Sequence, residues 1–159
     1  MNSIQANGIN IRFEVQGSGP WVALSHSLSC DLTMWDALAV ALAPTFTVLR
    51  YDTRGHGQTS LPTAAPEGPY RFDQLVGDVV GLLDALNIER THFVGLSMGG
   101  MIGQHLALAH PQRIGKLVIA NSTSRIPPEA GPLWDERIAI ARNPGCAGLV
   151  EGTLGRWFT

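Results

Sequence analysis

Ser97 is the residue whose neighbours best suit it to chemistry. It sits in Val94-Gly95-Leu96-Ser97-Met98-Gly99-Gly100, which contains the pattern G-x-S-x-G. Glycines two residues either side of a serine permit a sharp, strained turn from strand to helix. An apolar run, Thr91-His92-Phe93-Val94, leads in, and a helix-forming stretch from Met98 to His110 leads out. Such a turn lifts the hydroxyl clear of a sheet. It also aims the Met98 N–H, at a helix N-terminus, toward an oxygen bound beside the serine. The chemistry would be acyl transfer, with Ser97 attacking a carbonyl. The plain alternative is a glycine-rich turn with an incidental serine; the strand before and the helix after favour the nucleophile.

A serine hydroxyl is a weak nucleophile at neutral pH without a base. The five histidines are His26, His56, His92, His105 and His110. His92 lies on the strand entering the turn and His105 in the helix leaving it. His110 ends that helix, where a cation suits the helix dipole. His56 belongs to a polar loop. Each is read as a core or surface residue rather than as the base. The acids downstream, Glu129, Asp135, Glu136 and Glu151, do not lie at a strand end, and none is assigned. Cys30 and Cys146 lie far apart with no metal-ligand spacing, so reduced thiols are expected. Gly95 to Gly100 does not match G-x-G-x-x-G, so no dinucleotide site is expected, and no metal or other cofactor.

The elements that must position Ser97 are legible in order. Asn7-Gly8 between Ser3–Ala6 and Ile9–Gln16 predicts a hairpin, with Ile9, Ile11, Phe13 and Val15 on one buried face. Trp21 to Leu24 is a short strand apolar on both faces, ending in His26-Ser27-Leu28-Ser29. Thr33 to Asp36 resembles a capping box, followed by a helix that stops before Pro44. Phe46 to Tyr51 is the next strand, leading into Asp52-Thr53-Arg54-Gly55-His56-Gly57. A loop with Pro62, Pro66 and Pro69 precedes an amphipathic helix over Phe72 to Leu86. After Ser97 and its helix, Leu117 to Ala120 is one more apolar strand. Leu133 to Arg142 and Cys146 to Phe158 read as two helices. Strands alternating with helices predict an α/β fold with a mostly parallel sheet and an antiparallel hairpin at its N-terminal edge.

The chain has 159 residues, 45% hydrophobic and 15% charged, with a formal net charge of -2. This suits one globular domain and gives no electrostatic footprint for nucleic acid. Neither a signal peptide nor an apolar run near the ~18 residues of a membrane span is visible, so a cytoplasmic protein is expected.

In this order the motifs resemble the α/β-hydrolase fold: a hairpin, a strand with a His-Ser loop, Asp-x-Arg-Gly-His-Gly, then Gly-x-Ser-x-Gly-Gly. Within that fold the chain is similar to 3-oxoadipate enol-lactonases. The features are Ser27-Leu28, Asp31-Leu32-Thr33-Met34-Trp35, Leu96-Ser97-Met98-Gly99-Gly100, Trp134-Asp135-Glu136-Arg137-Ile138 and Leu154-Gly155-Arg156-Trp157-Phe158-Thr159. The resemblance implies Ser97 as nucleophile and the backbone N–H groups of Leu28 and Met98 as the oxyanion hole. Ser27 stands where many relatives carry glycine, and would narrow the pocket or hydrogen-bond the substrate. The substrate implied is an enol-lactone bearing a carboxylate, from aromatic catabolism. Arg137 or Arg125 would meet that carboxylate, and Trp134 would line the pocket.

The fold's chain order is serine, acid, then histidine. The last two are not found here, and an apolar strand at Leu117–Ala120 would need another strand beside it. The expectation is therefore the N-terminal part of a longer hydrolase, with residues 1–124 from the core and 125–159 beginning a helical cap. The C-terminal strands would be missing, and a C-terminal polypeptide would supply the histidine and acid. Alone, the 159 residues would be inactive. Two alternatives remain open. One is a non-catalytic small-molecule or protein-binding module. The other is a carboxylesterase, perhydrolase or carbon–carbon bond hydrolase sharing the serine.

Overall fold

The computed structural model describes residues 2–62 and 68–158; Pro66 of the proline-rich loop and the terminal Thr159 lie outside them. The chain divides into two compact units, Met1–Ser124 and Arg125–Thr159.

The first unit is a six-stranded sheet in the order β1-β2-β4-β3-β5-β6. Strands β1 (Asn2–Ala6) and β2 (Ile9–Gln16) form the hairpin. Asn7 and Gly8 both take positive φ, 47° and 77°, as the tight turn requires. Strand β2 runs antiparallel to β4 (Thr47–Tyr51). Strand β3 (Trp21–Ser25) pairs in parallel with β4 and with β5 (Thr91–Leu96), and β5 in parallel with β6 (Ile114–Ala120). Helices α1 (Asp36–Leu42), α2 (Phe72–Ala85) and α3 (Met98–Ala109) make the three crossovers.

The two faces of the sheet hold separate cores. On one face, Ala23, Leu49, Tyr51 and Phe93 pack with the α2 stripe of Leu75, Val76, Val79, Leu82 and Leu83, and with Ile102 and Leu106 of α3. On the other, Val22, Leu24 and Val48 pack with Trp35 and Ala39. This double burial is why β3 reads as continuously apolar.

Three expectations need correction. The alternation of β2 breaks in its second half. Arg12 is buried and Val15 is 39% exposed, because Arg12 turns inward to Asp52, 3.4 Å away. Thr33 and Asp36 do not form a capping box. Instead, Asp31 accepts the Thr33 N–H at 2.8 Å and caps a 3-10 turn, Leu32–Trp35, that leads into α1. Asp36 is drawn away by the guanidinium of Arg50. The final helix is shorter than expected, a 3-10 turn at Cys146–Leu149 followed by α5 (Val150–Trp157).

The second unit comprises α4 (Gly131–Arg142), the Cys146–Leu149 turn and α5. Among the described residues β6 is an edge strand, with Val118 53% and Ile119 45% exposed. Among the same residues no helix is long and apolar enough to cross a membrane.

Candidate active site

Ser97 joins the end of β5 to the start of α3 with φ 53° and ψ −113°. A non-glycine residue in such a region costs about 1–3 kcal/mol and persists only where its surroundings hold it. They do so here. The Ser97 N–H donates to Ala120 O at 2.9 Å, and its carbonyl accepts from Ser122 Oγ at 2.7 Å and Met101 N at 3.1 Å. The side chain is half-buried, not sealed in the interior.

The flanking glycines supply room rather than unusual torsions; the positive φ belongs to Ser97 itself. A Cβ on Gly95 would stand 2.1 Å from Gly99 O, and one on Gly99 would stand 2.1 Å from Ser25 O. Glycine therefore lets the first turn of α3 rest directly on the ends of β3 and β5. Gly99→Ala must push backbone apart, and overpacking of this kind costs about 1–3 kcal/mol or more. A melting curve of this variant is expected to show a clear fall in Tm, and an unchanged Tm would contradict the close packing.

The register of β3 on β5 pairs Ser25 with Gly95, so the loops after these strands emerge side by side at the carboxyl edge of the sheet. Met98 is the first residue of α3, where N–H groups have no intrahelical acceptor and the helix dipole favours negative charge. Leu28 lies in a tight turn closed by Cys30 N–H to Ser27 O at 3.2 Å, with Ser29 at φ 64°. Ser27 is buried and its own N–H is directed to Met34 Sδ at 3.4 Å.

His26, fully buried, ties this loop down. Its Nε2 accepts the Thr53 N–H at 2.8 Å, and its Nδ1 lies 2.7 Å from Ser27 O. Burial holds its pKa below the ordinary 6.5. The His56 ring, 5.1 Å away, lowers it further, against the raising effects of the Ser27 carbonyl, Asp52 and Asp31. The sign follows: the unfolded chain takes up the proton first, so this stability is complete above about pH 6.5 and is lost as pH falls. The drop in Tm between pH 7.5 and 5.5 is expected to shrink in His26→Gln; an equal drop would contradict it.

Asp52 organises the Asp-x-Arg-Gly-His-Gly loop. It accepts the Leu32 and Gln58 N–H groups, each at 2.8 Å, and faces Arg12. A Cβ on Gly57 would stand 2.1 Å from its carboxylate.

Among the described residues no histidine is hydrogen-bonded to Ser97. His92 accepts the Lys116 N–H at 3.0 Å, His105 stacks on Phe72 at 4.7 Å, and His110 caps α3. Trp134 and Arg137 lie together on α4, the guanidinium 4.9 Å from the indole centroid. Among the described residues no cluster of side chains suits a metal ion. Two surface hollows, one beside Ile88 and Arg113 and one beside Trp21 and His92, lie at the amino-terminal ends of the strands, away from Ser97. Sequence reasoning did not anticipate Ser122 or the brace made by His26. A serine just after β6 and a histidine just after β3 were the available signals.

A family model described as alpha/beta hydrolase fold matches residues 20–145. The chain is 38% identical to 3-oxoadipate enol-lactonase 2 of Acinetobacter baylyi, across 91% of this chain and 52% of that protein. The crystal structure of the enol-lactonase from Burkholderia xenovorans LB400 superposes with a TM-score of 0.90 at 44% identity, covering 99% of this chain and 60% of that one. A malate-bound thermophilic esterase from Thermogutta terrifontis superposes with a TM-score of 0.89 at 26% identity, covering 98% of this chain and 59% of the other. The chain thus spans about half the length of the curated relatives it matches.

Proposed function

The chain belongs to the α/β-hydrolase fold family, and on that premise we propose that Ser97 opens a small carboxylic ester or lactone through an acyl-enzyme. The substrate that fits best is 3-oxoadipate enol-lactone, in the cytoplasmic breakdown of aromatic compounds. One observation carries this reading: Ser97 is held at φ 53° on a strand–helix junction, with Met98 opening the helix and the loop that carries Leu28 leaving the adjacent strand in register. Ser97 Oγ attacks the lactone carbonyl carbon. The two N–H groups receive the charge that forms on the carbonyl oxygen, a contribution worth about 2.7–4 kcal/mol per donor in a well-studied protease. The ring oxygen leaves with a proton, and water then cleaves the ester on Ser97.

The base is a histidine oriented by a carboxylate. Among the described residues no histidine is hydrogen-bonded to Ser97, so both come, in this reading, from polypeptide beyond these residues. The 159 residues by themselves are then inactive. Ser27, Trp134 and Arg137 are proposed substrate contacts. Arg137 stacks on Trp134, and burial together with the charge of Arg156 lowers its pKa, conditions in which a carboxylate is welcome. The enol-lactonase relatives support a lactone substrate, and the esterase supports a simple ester.

The test is turnover of 3-oxoadipate enol-lactone and of p-nitrophenyl acetate by the full-length protein, with peptide-mass analysis of the quenched and digested reaction. Turnover with an acyl adduct on the Ser97 peptide is expected. A folded protein that hydrolyses neither would favour the second reading, a binding module.

A further inference from the structure

We propose that His26 is the positioning residue that aims the Leu28 N–H as an oxyanion donor. The inference rests on the hydrolase reading above and deepens it.

A backbone N–H can only donate, so at 2.8 Å from Thr53 N the Nε2 atom of His26 must accept. A neutral imidazole with an accepting Nε2 carries its proton on Nδ1. Nδ1 lies 2.7 Å from the Ser27 carbonyl, which can only accept. Both contacts are satisfied by one tautomer, Nδ1–H, and by no other protonation state. A protonated ring would point a second N–H at the Thr53 N–H.

The Ser27 carbonyl and the Leu28 N–H belong to the same peptide unit. That unit is planar and trans; among the described residues the cis bond is Asn143–Pro144. In a trans peptide the C=O and N–H point in opposite directions. Fixing Ser27 O against the buried imidazole therefore turns the Leu28 N–H away from His26. The Cys30 N–H, also on Ser27 O at 3.2 Å, closes the turn on the same side. The Thr53 contact fixes the ring itself against the loop after β4. Ser29, held at φ 64°, completes a turn that a free loop of this sequence would rarely adopt. The charged and titratable groups around the ring are His56, Asp52 and Asp31. None of them is placed to replace the Nδ1–H bond to Ser27.

Asparagine and glutamine separate the two contacts. In His26→Asn the new amide nitrogen would stand near the position of Nδ1 and could still donate to Ser27 O. In His26→Gln the new amide oxygen would stand near the position of Nε2 and could still accept from Thr53, but nothing would hold Ser27 O. An oxyanion donor acts in the transition state, so its loss appears in kcat and not in KM. In the full-length protein, His26→Gln is expected to lower kcat about 100-fold with KM within about threefold, the lower end of what one lost donor costs. His26→Asn is expected to recover kcat to within about tenfold of wild type. Equal losses in both variants, tracking their Tm values, would overturn the positioning role in favour of a structural one. A loss confined to KM would overturn it as well.

A second readout does not depend on turnover. The ¹⁵N shifts of the His26 ring are expected to report the Nδ1–H tautomer at pH 7 to 8. The Leu28 amide resonance is expected to move in His26→Gln and to stay near its wild-type position in His26→Asn. An Nε2–H tautomer, or a Leu28 amide indifferent to both changes, would overturn the proposal. Ser97→Ala keeps the two questions apart. Full activity in that variant sinks the reading of Ser97 as nucleophile whatever the ring shows, and lost activity there with an indifferent Leu28 sinks only the role of His26.

Discussion

Ser97→Ala in the full-length protein lowers kcat by about 10⁴-fold or more, the scale on which removing a serine nucleophile is felt, and leaves the fold intact. The strained backbone makes a sharper version of the same experiment. Ser97 occupies φ 53°, ψ −113° without a glycine's freedom, and three hydrogen bonds, to Ala120 O, Ser122 Oγ and Met101 N, keep it there. Alanine inherits that strain; glycine does not. Ser97→Gly is therefore expected to abolish turnover to the same extent while melting no lower than Ser97→Ala, and a gain of up to about 1 kcal/mol is in range. A turn serine of purely structural use would show the gain without the loss. A nucleophile shows both, since the position trades stability for an exposed hydroxyl. Steady-state kinetics and thermal melts on the three proteins decide it. Retention of more than about a tenth of wild-type kcat in either variant would mean that Ser97 is not the attacking group.

What the sequence made legible was local. Asn7-Gly8 is a turn signal that needs only its two neighbours, and the glycines around Ser97 mark close backbone approach wherever they occur between a strand and a helix. The apolar stripe of α2 needs only its own periodicity. What stayed hidden depends on loops meeting from distant parts of the chain. The inward turn of Arg12 makes sense only once Asp52 is beside it, forty residues away in sequence. The Asp31 cap replaced the expected Thr33–Asp36 box because Asp36 is engaged by Arg50 of β4. The bracing role of His26 requires Thr53, and a lone histidine after a short strand carries no sign of it. The Asp-x-Arg-Gly-His-Gly loop was recognisable as a motif. Its mechanics, with a carboxylate gathering two backbone N–H groups and a guanidinium, were not.

The same loop holds the largest expected stability effect. The Arg54 guanidinium is buried against Asp78 of α2, with Nε 2.8 Å from Oδ2 and Nη2 2.6 Å from Oδ1. Asn7 Nδ2 donates to the same carboxylate at 2.7 Å, and the Tyr70 ring lies 5.6 Å from the guanidinium carbon. Asp78 thus joins three segments that share no secondary structure: the hairpin turn, the loop after β4 and α2. Both side chains are nearly out of water, 6% and 5% exposed. Removing one partner strands the other charge in the interior, at a cost of about 3–5 kcal/mol. For a chain of this size Asp78→Ala is expected to lower Tm by about 10 °C or more. The pair itself need not be worth that much, since forming it also required stripping water from both ions. Arg54→Leu combined with Asp78→Leu removes both charges and should recover a large part of the loss. The double-mutant cycle then separates the penalty of an orphaned charge from the net value of the bridge. If the double variant is as unstable as the sum of the two single ones, the charges are not coupled. The buried bidentate contact would then not be what anchors the hairpin to α2.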